Sequence, residues 1–261
     1  EENAAKIHRI LVLSDWHAQH VLETAPFVKL EQLIITGNGI GHWVEELQEP
    51  QKHRFIYASS PDRGLHVLLE WWPEIRKKWT DAELHVFYGW NNYDVTATMY
   101  AGMEPFKANV KALMQQPGVF DHGRIGQVQL AEEFAKSEFW LYPSVQTDGK
   151  DWNETYCIAA MEAQANGCIP ITRPVGALPE RCVFTESLVN SRNFRDIWKR
   201  LTYWDKMHGD RLQAQRQRMA DEARKGTWTV VAHQWLALLN AEERRRLEST
   251  LDDEKEMVDY K

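Results

Sequence analysis

The fold is decided by one stretch of the sequence, Asn153-Glu154-Thr155-Tyr156-Cys157-Ile158-Ala159-Ala160-Met161-Glu162-Ala163. This stretch has the composition of a helix that follows a loop. Before it, residues 139–142 form a short apolar run, which is typical of a buried strand. After it, Asn166-Gly167 is a helix stop signal, and residues 168–172 form the next apolar run. The sequence therefore predicts a strand–helix–strand unit.

The spacing of two glutamates suggests a ligand site on this predicted helix. In a helix, Glu154 and Glu162 would lie roughly 80° apart around the axis and roughly 12 Å apart along it. Glu154 would lie at the helix tip, where free N–H groups and the positive dipole end favour an anion. An extended ligand with a central phosphate would meet both carboxylates. Alternatively, Glu154 only stabilises the first turn and Glu162 faces solvent, and the spacing alone favours this structural explanation.

The composition limits the class of protein. A length of 261 residues allows one large domain or two small ones, and 26% charged with 43% hydrophobic residues is ordinary for a globular protein. The net charge of −7 argues against general nucleic-acid binding. No apolar run approaches the ~20 residues of a membrane-spanning helix, and no signal peptide is visible. Three cysteines without a CxxC pair are typical of a reducing compartment, so we expect a cytoplasmic location.

Strand and helix patterns alternate through the middle of the chain. Strand-like runs occupy residues 54–59, 83–88, 119–122, 139–142 and 168–172, and helical patterns occupy residues 65–79, 96–115 and 127–137. This alternation predicts a parallel α/β sheet with right-handed crossovers, and such sheets bind ligands outside the carboxyl ends of their strands. The loops at those ends carry Gly, Ser, Arg and Asn, which suit phosphate and sugar. Loops favour Gly and Ser in any case, so their composition leaves both explanations open.

The two ends of the chain show other patterns. Residues 9–14 and 33–36 are strand-like, and residues 41–52 read as a loop. An apolar stripe within residues 194–204 has basic neighbours; we interpret it as core packing, with peripheral contact to a membrane or an acidic partner as the alternative. The pattern of residues 227–243 predicts a helix. The high charge of residues 241–261 predicts an exposed helix whose end is only partly formed.

Several short segments, in this order, match the pattern of a known family. They are Ser14-Asp15-Trp16, Asn38-Gly39-Ile40, Arg63-Gly64-Leu65, Gly123-Arg124-Ile125 and Pro143-Ser144, then Glu154 and Glu162 in an E-x7-E pattern, and then Ala163, Gly167 and Pro170. Over about residues 9 to 240 the chain resembles the nucleotide-sugar-binding half of the family-4 retaining glycosyltransferases. Each segment alone would be a weak signal. The ordered set is specific and favours a functional role for the glutamates.

The resemblance implies a fold and a domain organisation. It implies a Rossmann-like parallel sheet flanked by helices, the donor-binding half of a two-domain GT-B glycosyltransferase, with a helical C-terminal extension. Residues 1–40 would be a remnant of the end of a first, acceptor-binding domain. Residues 41–240 would form the nucleotide-sugar-binding domain, and residues 241–261 a charged tail. The implied reaction transfers a hexose-type sugar from a nucleotide-diphosphate sugar, with retention of configuration, to a glycan, lipid-linked or protein acceptor.

The resemblance also implies roles for the residues of the E-x7-E stretch. Glu162 would hold the ribose hydroxyls of the nucleotide. Glu154 would contact the donor sugar and its diphosphate side, as a catalytic residue. The backbone N–H groups of Thr155, Tyr156 and Cys157 would cradle the phosphates.

The remaining implied contacts come from other loops. Arg63 would neutralise the diphosphate as it leaves, which makes it the second catalytic residue. Ser59, in the same loop, would contact the donor, and the backbone around Arg124 and Ile125 would receive the base. Enzymes of this fold usually work without a bound metal, so the resemblance implies a nucleotide-sugar donor and neither a metal nor a further cofactor.

The chain departs from the family pattern in two places. The family has a Gly-Arg pair shortly before a Lys-Gly pair, whereas here Ala58, Ser59 and Ser60 occupy that stretch and Arg63 replaces the lysine. Arginine is a permanent bidentate phosphate ligand, but one positive charge is missing, so we expect weaker donor binding. In addition, at most the last ~40 residues of the acceptor-binding domain are represented.

These departures keep other hypotheses open. One is a non-catalytic nucleotide-sugar-binding module that needs a partner chain or an N-terminal domain for activity. Another is an unrelated α/β nucleotide-binding enzyme, which is poorly supported because residues 37–41 do not fit G-x-G-x-x-G. The sequence identifies neither the base nor the sugar. We expect four residues to lie in loops near the donor sugar, namely Trp90, Asn91, Asn92 and Trp152.

Overall fold

The main sheet has five strands, and all of its pairings are parallel. The computed structural model describes residues 7–97 and 103–258. The strands in chain order are β1 (Ile10–Val12), β2 (Leu33–Ile35), β3 (Gln51–Tyr57), β4 (Glu83–Phe87), β5 (Val119–Gly123), β6 (Ser137–Tyr142) and β7 (Ile169–Thr172). The main sheet has the order β5-β4-β3-β6-β7. The predicted parallel α/β architecture is therefore confirmed.

Helices follow the strands as the alternating pattern predicts. They are α1 (Asp15–Thr24), α2 (Leu65–Lys78), α3 (Asn91–Ala97), α4 (Met103–Leu113), α5 (Gln127–Lys136), α6 (Ile158–Ala165), α7 (Leu178–Arg181), α8 (Phe194–Asp205), α9 (Gly209–Ala223) and α10 (Trp228–Val258). The helix predicted over residues 96–115 corresponds to α4, and residues 98–102 lie outside the described part of the chain. The α9 helix was not predicted.

The strand order changes direction between β3 and β6. From β3 the chain first adds β4 and β5 on one side, then returns to add β6 and β7 on the other. With right-handed crossovers, this reversal places the helices on both faces of the sheet and opens a crevice at the carboxyl ends of β3 and β6. The loops that follow these two strands therefore meet where a ligand is expected.

The core is built on aromatic side chains of the central strands. Phe55 on β3 contacts Trp72 of α2 edge to face at 5.7 Å and Phe139 of β6 at 5.4 Å, and all three side chains are fully buried. Burial of one such side chain contributes about 1.5–3 kcal/mol. The apolar stripe of α8 belongs to the same core, because Ile197, Leu201 and Trp204 are buried. The interpretation of this stripe as core packing is confirmed.

A separate two-stranded parallel sheet, β1–β2, precedes the main sheet in the chain. It is linked to the C-terminal helices at Ile40, which forms a parallel bridge with Thr227 just before α10. A Cβ on Gly39 would lie 2.2 Å from the backbone nitrogen of Trp228, so the close approach requires glycine. The division of the chain at residue 40 stays a prediction. Within the described ranges, no helix is both long and apolar enough to span a membrane.

Candidate functional site

A groove opens at the carboxyl ends of β3, β4 and β6. It consists of two adjoining cavities of about 360 and 210 Å³, which share four lining residues: Ala58, Tyr88, Gln127 and Glu162. The groove lies at the reversal of strand order, where open α/β sheets bind ligands.

All nine residues predicted from the sequence line this groove. Seven of them line the larger cavity: Ser59, Arg63, Glu154, Thr155, Tyr156, Cys157 and Glu162. Arg124 and Ile125 line the smaller cavity, which Glu162 also borders. Of the four residues expected in loops near the sugar, Trp90, Asn91 and Trp152 do not line the groove, and the side chain of Asn92 lies outside the described atoms. The loop assignment is wrong for Asn91 and Asn92, because these two residues begin α3. The roles assigned to these residues stay predictions.

The helix expected from Glu154 begins four residues later, at Ile158. Cys157 has a left-handed backbone conformation, with φ 66° and ψ 76°, which interrupts the helix. The carbonyl of Glu154 accepts a hydrogen bond from the Ala177 N–H at 2.7 Å, and the carbonyl of Thr155 accepts one from the Ser14 hydroxyl at 2.8 Å. Because these two carbonyls are used elsewhere, the first turn of α6 leaves N–H groups free at the groove, and the prediction that the helix tip lies at Glu154 is wrong.

Glu154 is held in a buried, hydrogen-bonded position. Its side chain accepts a hydrogen bond from the Tyr142 hydroxyl at 2.6 Å, and the Arg63 guanidinium lies 3.5 Å from the same oxygen. Burial, followed by the charge of Glu154, raises the pKa of Tyr142 well above its usual value, so this hydroxyl stays a donor. A Cβ on Gly176 would lie 2.5 Å from the backbone of Glu154. The carboxylate therefore has a fixed position.

Glu162, about one turn into α6, stands in a different environment. None of the described residues pairs with its carboxylate, and burial raises its pKa above the usual value. A half-buried carboxylate without a partner is a costly arrangement, which a ligand with two hydroxyl donors would relieve. Glu162 thus provides an acceptor at the junction of the two cavities.

The smaller cavity combines apolar side chains with polar groups. Phe87, Ile125 and Leu130 form its walls, and Arg124 and Gln127 supply polar atoms at its edge. A Cβ on Gly89 would lie 3.2 Å from the backbone nitrogen of Arg124, so the two loops pack closely. A slot with apolar side chains in its walls and polar atoms at its edge suits an aromatic ring that carries polar groups.

Sequence reasoning missed part of the groove. Tyr142 was expected only as the end of a buried strand, although it holds Glu154. Tyr88 and Gln127 line both cavities. A signal for these two residues existed, because Tyr88 ends a predicted strand and Gln127 opens a predicted helix.

The side chains described do not offer a metal centre or a reactive cysteine. No group of three or more His, Cys, Asp or Glu among them is placed to hold a metal ion. Cys157 lies in the groove, but burial, followed by the charge of Glu154, raises the pKa of its thiol well above the usual value. The thiol therefore stays protonated and packs as a small apolar group.

The raised pKa of Glu162 predicts a pH-dependent stability. A carboxyl group with a raised pKa in the folded state is favoured in its protonated form, so its ionisation costs stability above the unfolded value of 4.5, and this cost vanishes at lower pH. We expect Glu162→Gln to raise the melting temperature at neutral pH by about 2–4 °C and to leave it unchanged near pH 4. Glu132→Gln, at an exposed position of α5, is the control. Equal melting temperatures at neutral pH would contradict the prediction.

Comparisons with known proteins give matches among solved structures only. No protein-family model matches the chain, and no curated protein matches its sequence. Sucrose-phosphate synthase from Thermosynechococcus elongatus matches with a TM-score of 0.67 and 16% identity, over 93% of this chain and 61% of the synthase chain. The pneumococcal O-GlcNAc transferase GtfA matches with a TM-score of 0.65 and 16% identity, over 92% of this chain and 46% of GtfA.

A third solved structure shows the same relationship. A glycosyltransferase from Rickettsia africae matches with a TM-score of 0.68 and 13% identity, over 91% of this chain and 66% of the other. At these identities the likeness establishes the fold, and the chain spans about half to two thirds of the length of these neighbours. The chain has the α/β fold, a parallel sheet flanked by helices, of GT-B glycosyltransferase domains.

Proposed function

We propose that this chain is the nucleotide-sugar-binding half of a metal-independent, cytoplasmic glycosyltransferase. It would transfer a hexose-type sugar from a nucleotide-diphosphate sugar to a glycan, lipid-linked or protein acceptor, with retention of configuration. One observation carries the proposal: a single groove presents a slot with apolar side chains in its walls, an unpaired carboxylate and a cation beside a helix N-terminus, in that order.

The order of these groups fits the order of groups in a nucleotide sugar. The slot beside Ile125 suits the base, and the next acceptor, Glu162, suits the two hydroxyls of the ribose. The phosphates would then lie between Arg63 and the free N–H groups at the start of α6, contributed by Ile158 and Ala159. The sequence predicts that the N–H groups of residues 155–157 bind the phosphates. Because α6 begins only at Ile158, the free N–H groups of the helix tip lie further along the chain.

The chemistry of the transfer places its main demand on the diphosphate end. When the bond between the anomeric carbon and the phosphate oxygen breaks, negative charge develops on the diphosphate. Arg63 and the helix N-terminus stabilise that charge in a partly buried groove. Glu154, oriented by the Tyr142 hydroxyl, lies at the same end and would contact the sugar.

The ligands bound in two neighbouring structures support a nucleotide donor. The pneumococcal transferase was solved in complex with UDP and GlcNAc. The catalytic domain of starch synthase IV from Arabidopsis thaliana, with a TM-score of 0.58 and 13% identity, was solved bound to ADP and acarbose. These ligands belong to those proteins; for this chain they favour a nucleoside diphosphate over other phosphate-containing ligands.

A second candidate function is nucleotide-sugar binding without catalysis, in an assembly with another domain. About a third to a half of each neighbouring chain lies outside the matched region. GtfA was also solved in a GtfA/B complex. In that case the acceptor would be bound by the other domain, supplied by the same polypeptide or by a partner chain.

Calorimetric titration with UDP, GDP, ADP and their common sugars tests both candidates. Saturable binding of one nucleotide is expected, and hydrolysis or transfer of its sugar by this chain would separate the enzyme from the binding module. Absence of binding to every nucleotide would overturn both functions for the isolated chain.

A further inference from the structure

The charge balance of the larger cavity makes one side chain decisive. Among its described lining residues, Arg63 is the single cationic side chain, and it stands opposite two carboxylates, Glu154 and Glu162. A bound nucleotide-diphosphate sugar would add two negative charges. The affinity of the groove for the diphosphate therefore depends on the orientation of the Arg63 guanidinium. This inference rests on the proposed function.

The guanidinium of Arg63 is supported by an aromatic ring. Its nearest carboxylate oxygen, on Glu154, is 3.5 Å away, and its Nε is buried without a hydrogen-bond partner. The guanidinium carbon lies 4.5 Å from the centre of the Trp152 ring. Stacking of this kind stabilises a cation through its face, while the N–H donors lie in the guanidinium plane and stay available at its edge.

Trp152 is held in place by its own backbone. Its N–H donates to the carbonyl of Ser144 at 3.0 Å, and its carbonyl accepts from the hydroxyl of Ser144 at 2.7 Å. Ser144 is fully buried, lies two residues after the end of β6 and has a positive φ of 53°. The backbone of Trp152 is thus attached through two hydrogen bonds to the buried segment that follows β6.

Asp151, the residue before Trp152, anchors the same loop to two other segments of the chain. Asp151 is paired with Arg173, which follows β7, and with Arg192, which precedes α8. The side-chain hydrogen bond from Arg173 and that from Arg192 hold the pKa of Asp151 below its usual value, in spite of its partial burial. The hydrogen bonds between Ser144 and Trp152 and the ion pairs of Asp151 together hold residues 151–152 in place.

We propose that Trp152 is a positioning residue: its ring, held by Ser144 and Asp151, keeps the Arg63 guanidinium edge-on to the diphosphate of the donor. Trp152 thereby acts on the diphosphate without contacting it. This role explains a partly buried tryptophan in a polar loop that does not line the groove itself.

The test compares nucleotides with one and two phosphates. The affinities of UDP, GDP and ADP, and of UMP, GMP and AMP, are measured by calorimetry for the wild type, Trp152→Leu and Trp152→Phe. Loss of the cation–ring contact is expected to weaken diphosphate binding about 5- to 30-fold and to leave monophosphate binding unchanged. Phenylalanine, which keeps an aromatic face, should restore most of the affinity.

Two further variants separate positioning from a general structural effect. Trp235→Leu, at a position of α10 with 45% of the side chain exposed, is the matched control and should bind like the wild type. In an Arg63→Gln background, Trp152→Leu should cause no further loss, because its partner is already absent.

Each outcome has a defined meaning. An equal loss of affinity for monophosphates and diphosphates would overturn the positioning role while the proposed function stands. An additive loss of affinity in the double variant would have the same meaning. Diphosphate binding by Trp152→Leu at the wild-type level would do the same. A wild type that binds none of the six nucleotides would overturn the proposed function and this inference with it.

Discussion

Replacing Glu162 by alanine is expected to weaken nucleotide binding about 100-fold or more. The carboxylate stands half-buried at the junction of the two cavities without a protein partner. Two hydroxyls on neighbouring ribose carbons would each donate a hydrogen bond to it, and a hydrogen bond to a charged group contributes about 1.5–3 kcal/mol. Removing both corresponds to a loss of at least two orders of magnitude in affinity. Calorimetric titration with the preferred nucleotide measures the effect.

The choice of ligands and variants makes the Glu162 test specific. The deoxyribose analogue that lacks the 2′-hydroxyl should bind the wild type more weakly, and it should lose less affinity than the parent nucleotide when Glu162 is replaced. Glu132→Ala, at an exposed position of α5, should bind normally. Removing this unpaired, half-buried charge should not weaken the fold. We therefore expect the melting temperature of Glu162→Ala to stay at the wild-type level or above it, so that unfolding does not explain a loss of affinity. Unchanged affinity in this variant would exclude the assigned ribose site.

The sheet could be predicted from the sequence because most of its strands contain a short apolar run, such as residues 55–57 of β3 and 139–142 of β6. All six residues of β6 are buried, so no polar alternation obscures the signal. The α2 helix shows the helical period in its buried residues Leu65, Leu68, Leu69, Trp72 and Ile75. Crossover handedness then leaves few topologies to consider.

The α9 helix shows where such patterns fail. Its buried residues are Arg216, Met219, Ala220 and Ala223, which form no apolar stripe that a sequence pattern would detect. Arg216 is buried because its guanidinium donates to the carbonyl of Gly167 at 2.8 Å, a contact between distant parts of the chain. Contacts of this kind depend on tertiary structure and leave no local signal.

The candidate site was predictable in its residues but not in its geometry. The family pattern selected Glu154 and Glu162, and both line the groove. The backbone at Cys157 could not be foreseen, because a positive φ at a residue other than glycine is imposed by its surroundings. Tyr142, which fixes Glu154, meets it across the end of a strand. The sequence thus identified the chemical groups, and packing decided which of them face the ligand.

Replacing Arg63 by glutamine should separate binding of the diphosphate from binding of the nucleoside. Arg63 is the cation of the larger cavity, and charge-assisted hydrogen bonds to phosphate are about twice as strong as neutral ones. Burial is the largest single influence and by itself would lower the pKa of Arg63, but Glu154 and the other acidic groups around it together raise the pKa above its usual value, so the side chain stays a cation. We expect the affinity for the nucleoside diphosphate to fall about 10- to 100-fold and that for the monophosphate to change much less. Any sugar transfer or hydrolysis should slow about 100- to 1000-fold, because charge on the leaving diphosphate loses its main stabiliser.

Arg63→Lys distinguishes charge from geometry in the same experiment. Lysine keeps the positive charge but has neither the planar fork nor the stacking face that Trp152 supports at 4.5 Å. Its affinity for the diphosphate should lie between those of the wild type and Arg63→Gln. If lysine restored full affinity, charge alone would suffice and the ring of Trp152 would have no role in diphosphate binding. If Arg63→Gln weakened the binding of monophosphates and diphosphates equally, the role of the guanidinium would be to maintain the structure of the groove. The departing diphosphate would then need another source of positive charge.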